Sequence, residues 1–351
     1  MVACPRVSVV MPVLDAEAYL REAIESILSQ TFKDFELLVI SEHGTSSESI
    51  AAIESYSDDR IRHIHNLRRL GIAKSRNVGI RKARGQYIAW MDADDVSMPE
   101  RLEKQVKFLD EHPEVGVLGT GFEVIDGNGR VVSRHKLPTG PALTKWLLPF
   151  RDANVIANPT SMVRRTICEA LKGYGEWEWA EDYDFWLRSS NITKIDNLPH
   201  ILLRYRKHEG NISRRYQGLF PEASMSHQAL TATIGRGASF NVVRALVRPY
   251  RHYAPTAKDA LNAALLLCRG YPRYVSSEPM SKREGTLILH DVANRLVALS
   301  LTCARRNPIF SVVIYCHMIR LCREQIPWVM GLTVRSIIRV ICRNASRILG
   351  R

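Results

Sequence analysis

The sequence predicts an α/β protein with a mainly parallel sheet, helices on both faces of that sheet, and a helical C-terminal extension. Three observations predict it. The first hundred residues alternate apolar runs of strand length with helical patterns, the order that builds parallel strands joined by crossover helices. One of those runs ends in Asp92-Ala93-Asp94-Asp95, three carboxylates at the carboxyl end of a strand, where such sheets bind ligands. The charge is also divided: residues 1–215 carry 30 basic and 30 acidic side chains, whereas residues 216–351 carry 19 and 6, so the whole net charge of +13 belongs to the C-terminal part. The chain therefore reads as two regions, 1–215 and 216–351, with different partners.

The elements follow in order. Val7 to Met11 is a buried-strand run closed by Pro12, and Ala18 to Gln30 reads as a helix with Leu20, Ala23, Ile24, Ile27 and Leu28 on one face. Phe35 to Ile40 is the next strand, Ser46 to Tyr56 a helix, Ile61 to His65 a strand, Ile72 to Ala83 a helix and Tyr87 to Met91 a strand. After the carboxylates a helix is expected to open near Ser97, with Pro99 in its first turn. Val115 to Leu118 returns to strand, and Asp126-Gly127-Asn128-Gly129 between Val124 and Val131 reads as a hairpin turn. Past Gly218 the pattern is helical, with candidates at Thr256 to Cys268 and Glu284 to Arg305 and turns marked by Pro249, Pro255, Pro272, Pro279, Pro308 and Pro327.

Composition narrows the function classes. With 351 residues, 46% of them hydrophobic and 24% charged, the chain buries a sizeable core and is neither disordered nor of low complexity. Seven cysteines form no C-x-x-C pair and read as reduced thiols of a cytoplasmic protein. The apolar run after Arg6 is too short for a signal peptide, and Pro308 to Cys322 is broken by His317 and Arg320, so a spanning helix is not expected. Nucleic acid is not expected as a partner, because no zinc-finger spacing, aromatic RNA-binding signature or helix-turn-helix accompanies the positive charge.

Asp92, Asp94 and Asp95 repel one another and raise each other's pKa unless a cation relieves them. Hard oxygen ligands with room for phosphate and water suit Mg²⁺ or Mn²⁺. A helix N-terminus decorated with acids, which the macrodipole favours, is the other reading of an isolated D-x-D.

Several segments together resemble glycosyltransferase family 2. They are Val7-Ser8-Val9-Val10-Met11-Pro12-Val13, the run Ala23 to Phe32, Phe35 to Ile40, Leu70-Gly71-Ile72-Ala73 with Arg76-Asn77, and Ala83 to Ala89 leading into D-A-D-D. The likeness runs from about residue 6 to about residue 215. It implies the GT-A fold, a nucleotide-sugar donor and inverting, metal-dependent transfer. By motif match, Asp92 and Ala93 lie against the donor, with Asp92 at its ribose, and Asp94 holds the metal that bridges the diphosphate, supported by Asp95. Pro12, Val13 and Glu17 line the nucleoside pocket, and Arg76 faces the diphosphate, for which a forked guanidinium is well suited; a solvated helix charge is the other reading of Arg76. The chain departs from the family pattern at Ser41-Glu42-His43-Gly44-Thr45, where two aspartates and Gly-Ser are usual, and at Asp15, where asparagine is usual. Glu42 then stands as the acceptor for a base edge, with a reach unlike aspartate's.

Asn158 to Arg164 and Gly173-Tyr174-Gly175-Glu176 follow the family's second half, and Glu181-Asp182 opens a helix. The resemblance makes Asp182 the catalytic base and gives Glu181 a supporting hydrogen-bonding role. An inverting transfer needs such a carboxylate, separate from the metal side, to take the acceptor hydroxyl's proton. N-terminal capping is the alternative for this pair. In Leu203 to Ser213, His208 reads as a third metal ligand or a diphosphate contact, and otherwise as a structural histidine.

Near the C-terminus Arg335, Arg339, Arg343, Arg347 and Arg351 recur every four residues opposite Val334, Ile337, Ile338, Ile341, Cys342, Ile348 and Leu349. This basic amphipathic pattern suits an anionic membrane surface, or a helix docked on its own domain. The resulting expectation is a transferase peripheral on the cytoplasmic face of a membrane, acting on a saccharide or lipid-linked saccharide in cell-surface polysaccharide biosynthesis. A catalytically silent nucleotide-sugar-binding scaffold is the alternative. A sugar nucleotidyltransferase would need a Gly-rich loop after its first strand, and Pro12-Val13-Leu14-Asp15 has no glycine.

Overall fold

The computed structural model describes residues 4–14, 16–150, 155–177, 180–211, 222–234, 239–247, 255–304 and 307–322. The chain divides into two compact units, one of residues 1–139 with 154–219 and one of residues 140–153 with 220–351.

The first unit is built on a nine-stranded sheet in the order β3-β2-β1-β4-β8-β6-β9-β5, with β7 paired to β6. Its opening half is β1 (Val7–Val13), α1 (Leu20–Leu28), β2 (Phe35–Ser41), α2 (Ser47–Glu54), β3 (Ile61–His65), α3 (Ile72–Lys82) and β4 (Tyr87–Trp90). These four strands pair in parallel, and the interior ones are continuous apolar runs because helices cover them. The polar side chains within them are satisfied: Ser8 donates to Glu36 at 2.6 Å, and Arg62 and Arg84 close the other carboxylate oxygen. Gly85, before β4, is required by close approach, since a Cβ there would lie 2.5 Å from the backbone nitrogen of Ser8. Backbone cannot step aside as a side-chain tip can. Gly85→Ala is expected to destabilise the unit by about 1–3 kcal/mol, read as a lowered midpoint of thermal unfolding.

The second half adds β5 (Val96–Ser97), α4 (Arg101–Glu111), β6 (Val115–Ile125), β7 (Val131–His135), β8 (Met162–Arg164), α6 (Arg165–Ala170), α7 (Glu181–Ser189) and β9 (Lys194–Arg206), with α5 (Pro141–Leu147) between β7 and β8. Here the sheet turns mixed: β8 is antiparallel to β4 and to β6, β6 is parallel to β9, and β5 is antiparallel to β9. The hairpin over Asp126 to Gly129 forms as its turn residues predict, with Gly129 at φ +79°. The helix expected near Ser97 instead begins at Arg101. Ser97 is drawn into pairing with Leu203, and its amide donates to Ser26 while the Gln30 amide reaches Ser97 and the Met98 carbonyl. The Gln30 carbonyl then accepts from Leu102, capping α4 from 72 residues away.

The second unit holds α5 together with α8 (Glu222–Ile234), α9 (Phe240–Val247), α10 (Ala257–Ser277), α11 (Lys282–Ala304) and α12 (Pro308–Cys322). Its core takes Leu143, Trp146 and Phe150 from the middle of the chain and packs them with Leu246, Leu267, Leu296 and Met318. Trp146 donates to Asp291 at 2.8 Å, and Glu284 accepts from the Ala142 amide at the start of α5. Pro272, read from sequence as a turn, lies inside α10. Packing carries the helix past it, because Leu267 and Tyr274 on either side are buried and the Tyr274 hydroxyl donates to the Ala142 carbonyl at 2.6 Å. α11 alone among the described helices is long and apolar enough to cross a membrane, and 61% of its apolar window is buried, as in a core helix. The arginine repeat of residues 335–351 lies outside the described residues.

Candidate active site

The parallel strands bring their carboxyl ends to one edge. Register sets Pro12 beside Ile40 and Val13 beside Ser41, and β4 delivers the chain into Asp92-Ala93-Asp94-Asp95 next to β1. Glu17 is exposed, and hydrogen bonding to Ser46 holds its carboxyl below the usual range. Asp15 lies outside the described residues.

Glu42 turns inward. One of its oxygens accepts from the Leu70 amide at 2.6 Å and the Gly71 amide at 3.2 Å, the other from Asn66 and Ser75. Both oxygens are thus engaged in holding the loop that opens α3, where Gly71 takes φ +82°. Ser41, beside Glu42, sits between the rings of His63 and His65 at 2.8 and 2.9 Å.

Arg76 lies between the acidic loop and the start of α7. The side chain is only 6% exposed, its guanidinium meeting Glu181 at 2.5 Å and Asp92 at 3.4 Å above the Tyr174 ring. Burial is the largest single influence and works against its charge, but Glu181, Tyr174, Asp92 and Asp182 together outweigh it and keep the guanidinium protonated. Two of its nitrogens therefore face carboxylates, while its buried Nε meets no hydrogen-bond partner. Asn77, the next residue, exchanges two hydrogen bonds with the backbone of Tyr174, so α3 clamps the segment that leads to α7.

Burial pushes Asp92 up to about 6, with Arg76 opposing it. The carboxylate keeps 29% exposure. Asp94 is likewise partly exposed, and its Oδ2 meets His208 Nε2 at 2.9 Å and accepts from the Asn211 amide at 3.1 Å. Asp95 is fully buried and accepts from the Arg206 amide at 2.8 Å, so it braces the loop from behind. Burial and its two acidic neighbours push its carboxyl well up. The end of β9 is thereby fastened to the acidic loop: Arg206 also donates to the Asp94 carbonyl, pairs with Glu22 and lies 4.4 Å over the Tyr19 ring, which packs against His208.

On the other side, Glu181 and Asp182 open α7 directly after Ala180, which is held at φ +60°. A non-glycine residue there stores about 1–2 kcal/mol of strain, a feature that collects at functional sites. Burial raises the Glu181 carboxyl, and Arg76 opposes that rise. Glu181 is thus engaged in an ion pair, while Asp182 is half-buried and accepts from the Tyr183 amide at 2.7 Å.

The structure therefore joins Asp92 to Glu181 through Arg76, and Asp94 to His208. Tyr19 and Arg101 are not singled out by the sequence, and Arg206 and Asn211 are marked only by lying in the Leu203 to Ser213 segment. Arg101 is fully buried, donates to the Trp90 carbonyl at 2.7 Å and places a cation behind Asp95 and Asp92. Only the Pro-x-Arg spacing after Ser97 marks it in the sequence.

The fold is shared with S. aureus TarS. Its residues 1–349 in complex with UDP superpose with a TM-score of 0.55 at 18% identity, covering 91% of this chain and 89% of that one. The fold is that of the GT-A glycosyltransferases. The profile described as "Glycosyl transferase family 2" matches residues 8–172. An uncharacterized glycosyltransferase of Methanocaldococcus jannaschii is 37% identical over 58% of this chain and 71% of its own length. The O-antigen biosynthesis glycosyltransferase WbnJ of Escherichia coli is 34% identical over 63% and 87%, respectively. The chain belongs to glycosyltransferase family 2, and it is a glycosyltransferase.

Proposed function

We propose that the enzyme inverts the anomeric centre of a nucleoside-diphosphate sugar as it transfers that sugar to a hydroxyl of a saccharide or lipid-linked saccharide. The observation that carries this reading is the buried Arg76 bridge, which ties the donor-side Asp92 to Glu181 and so holds the neighbouring Asp182 at the same site. Asp182 takes the proton of the acceptor hydroxyl as that oxygen bonds to the anomeric carbon, and the bond to the diphosphate breaks with its electron pair leaving on the diphosphate. Glu181 positions the base through Arg76. Pro12, Val13, Glu17 and Ala93 line the nucleoside side, and Asp92 faces the ribose. Glu42 supports that pocket through the Leu70-Gly71 loop.

The residues present fit a divalent cation. Asp94 and His208 offer a hard oxygen and an imidazole nitrogen at a partly exposed point, and no cluster of three or more ligating side chains occurs among the described residues. Mg²⁺ or Mn²⁺ bound by one or two protein groups takes its remaining ligands from phosphate and water. Such an ion would supply charge stabilisation for the departing diphosphate. Asp95 supports Asp94 from the interior.

The likeness to an O-antigen biosynthesis glycosyltransferase supports a place in cell-surface polysaccharide biosynthesis. On this reading the enzyme works peripherally on the cytoplasmic face of a membrane, its basic C-terminal region of net +13 facing anionic lipid. The test is calorimetric titration of a panel of nucleoside diphosphates, with Mn²⁺ and with chelator, into the protein and into Asp94→Ala. One nucleotide is expected to bind only with metal and to lose that metal dependence in the variant. Equal binding with chelator would refute the metal site, and no binding of any nucleotide would favour the scaffold reading.

A further inference from the structure

The last described helix, α12, is apolar on both sides. Ile314 and Met318 are buried in the core of the second unit, and Ser311, about one turn before Ile314, is bonded to Ser300 at 2.9 Å. The opposite side exposes Ile309 by 72%, Val312 by 47% and Val313 by 37%, and Cys316 is exposed with them. These positions follow the i, i+3, i+4, i+7 spacing of a single helix face. Arg320 lies on the same line one turn further on and is exposed. A surface helix of a globular protein ordinarily turns polar side chains outward, and one that is apolar all round needs a second cover.

We infer that this outward face of α12 seats in the headgroup region of an anionic bilayer, with Arg320 reaching back to lipid phosphate. The inference rests on the membrane-facing reading above and locates the contact on α12. Two features favour lipid over a second copy of the chain. The four side chains offer on the order of 300–400 Å², whereas a stable dimer buries about 800 Å² per partner. The region that contains the helix also carries the whole net charge of the protein, +13, which draws it to anionic headgroups and would repel a like copy. An arginine at the end of an apolar stripe is suited to the boundary, its stem in the apolar layer and its charge at the phosphates.

The experiment is co-sedimentation of the full chain with vesicles of equimolar phosphatidylglycerol and phosphatidylcholine. It compares the unaltered protein, the double variant Ile309→Asp with Val313→Asp, and the triple variant Arg335→Ser, Arg339→Ser and Arg343→Ser. The α12 variant is expected to lose vesicle partitioning by about tenfold or more, while its thermal midpoint and nucleotide binding stay those of the parent. Parent-like partitioning of a folded α12 variant, with loss in the arginine variant, would overturn this inference and leave the membrane reading intact. Failure of the unaltered protein to bind vesicles would overturn both. Light scattering that showed a dimer dissociated by the α12 substitutions, with vesicle binding unchanged, would assign the face to a second copy.

Discussion

Asp182→Asn is expected to lower sugar transfer by about 10²–10⁴-fold while leaving donor binding within a small factor of the parent. The substitution removes the only function that asparagine cannot reproduce. Its carbonyl can still accept from the Tyr183 amide, as Asp182 does at 2.7 Å, so the first turn of α7 has no reason to move. The electrostatic change is small, because Arg76 is held chiefly by Glu181. The loss should therefore fall on kcat, read as nucleoside diphosphate released under saturating donor, with the calorimetric affinity for the donor nucleotide preserved. A fall of less than about threefold would move the base elsewhere, and a parallel loss of nucleotide affinity would make Asp182 part of the donor pocket.

What the sequence disclosed and what it hid divide along sequence separation. β1 to β4 and their helices are set by local periodicity, and each appears within a few residues of its expected bounds. The acidic loop after β4 is likewise local: it follows an apolar run that is buried along its whole length. The hidden features depend on partners far away. Gln30 delays the start of α4 from 72 residues upstream, and Glu181 captures Arg76 across 105. Trp146 joins the helical unit through Asp291, 145 residues on, so its part of the chain leaves the unit that surrounds it in sequence. Glu42 shows the same limit in a motif: the type of residue was legible, but its direction was decided by the amides of Leu70 and Gly71.

The largest stability effect is expected at Arg76. Its guanidinium is the counter-charge of Glu181 and Asp92, and Arg76→Leu leaves those carboxylates in place without it. Breaking a buried pair from one side costs about 3–5 kcal/mol, because the remaining charge has lost both water and partner. The loss should depend on pH in a stated direction. Burial already raises the Glu181 carboxyl and Arg76 opposes that rise, so removing the arginine moves the folded-state pKa further above the unfolded one. An acid raised in this way binds its proton more tightly when folded, and stability therefore falls as pH rises from the unfolded pKa to the folded one. Thermal unfolding should accordingly show a wider gap between parent and variant at about pH 8 than at about pH 5. Adding Glu181→Gln to Arg76→Leu removes one of the stranded charges and should recover part of the loss. A single variant that unfolds at the parent midpoint at both pH values would mean that the bridge between the two halves of the site carries no weight, and with it would go the link that holds Asp182 near the donor.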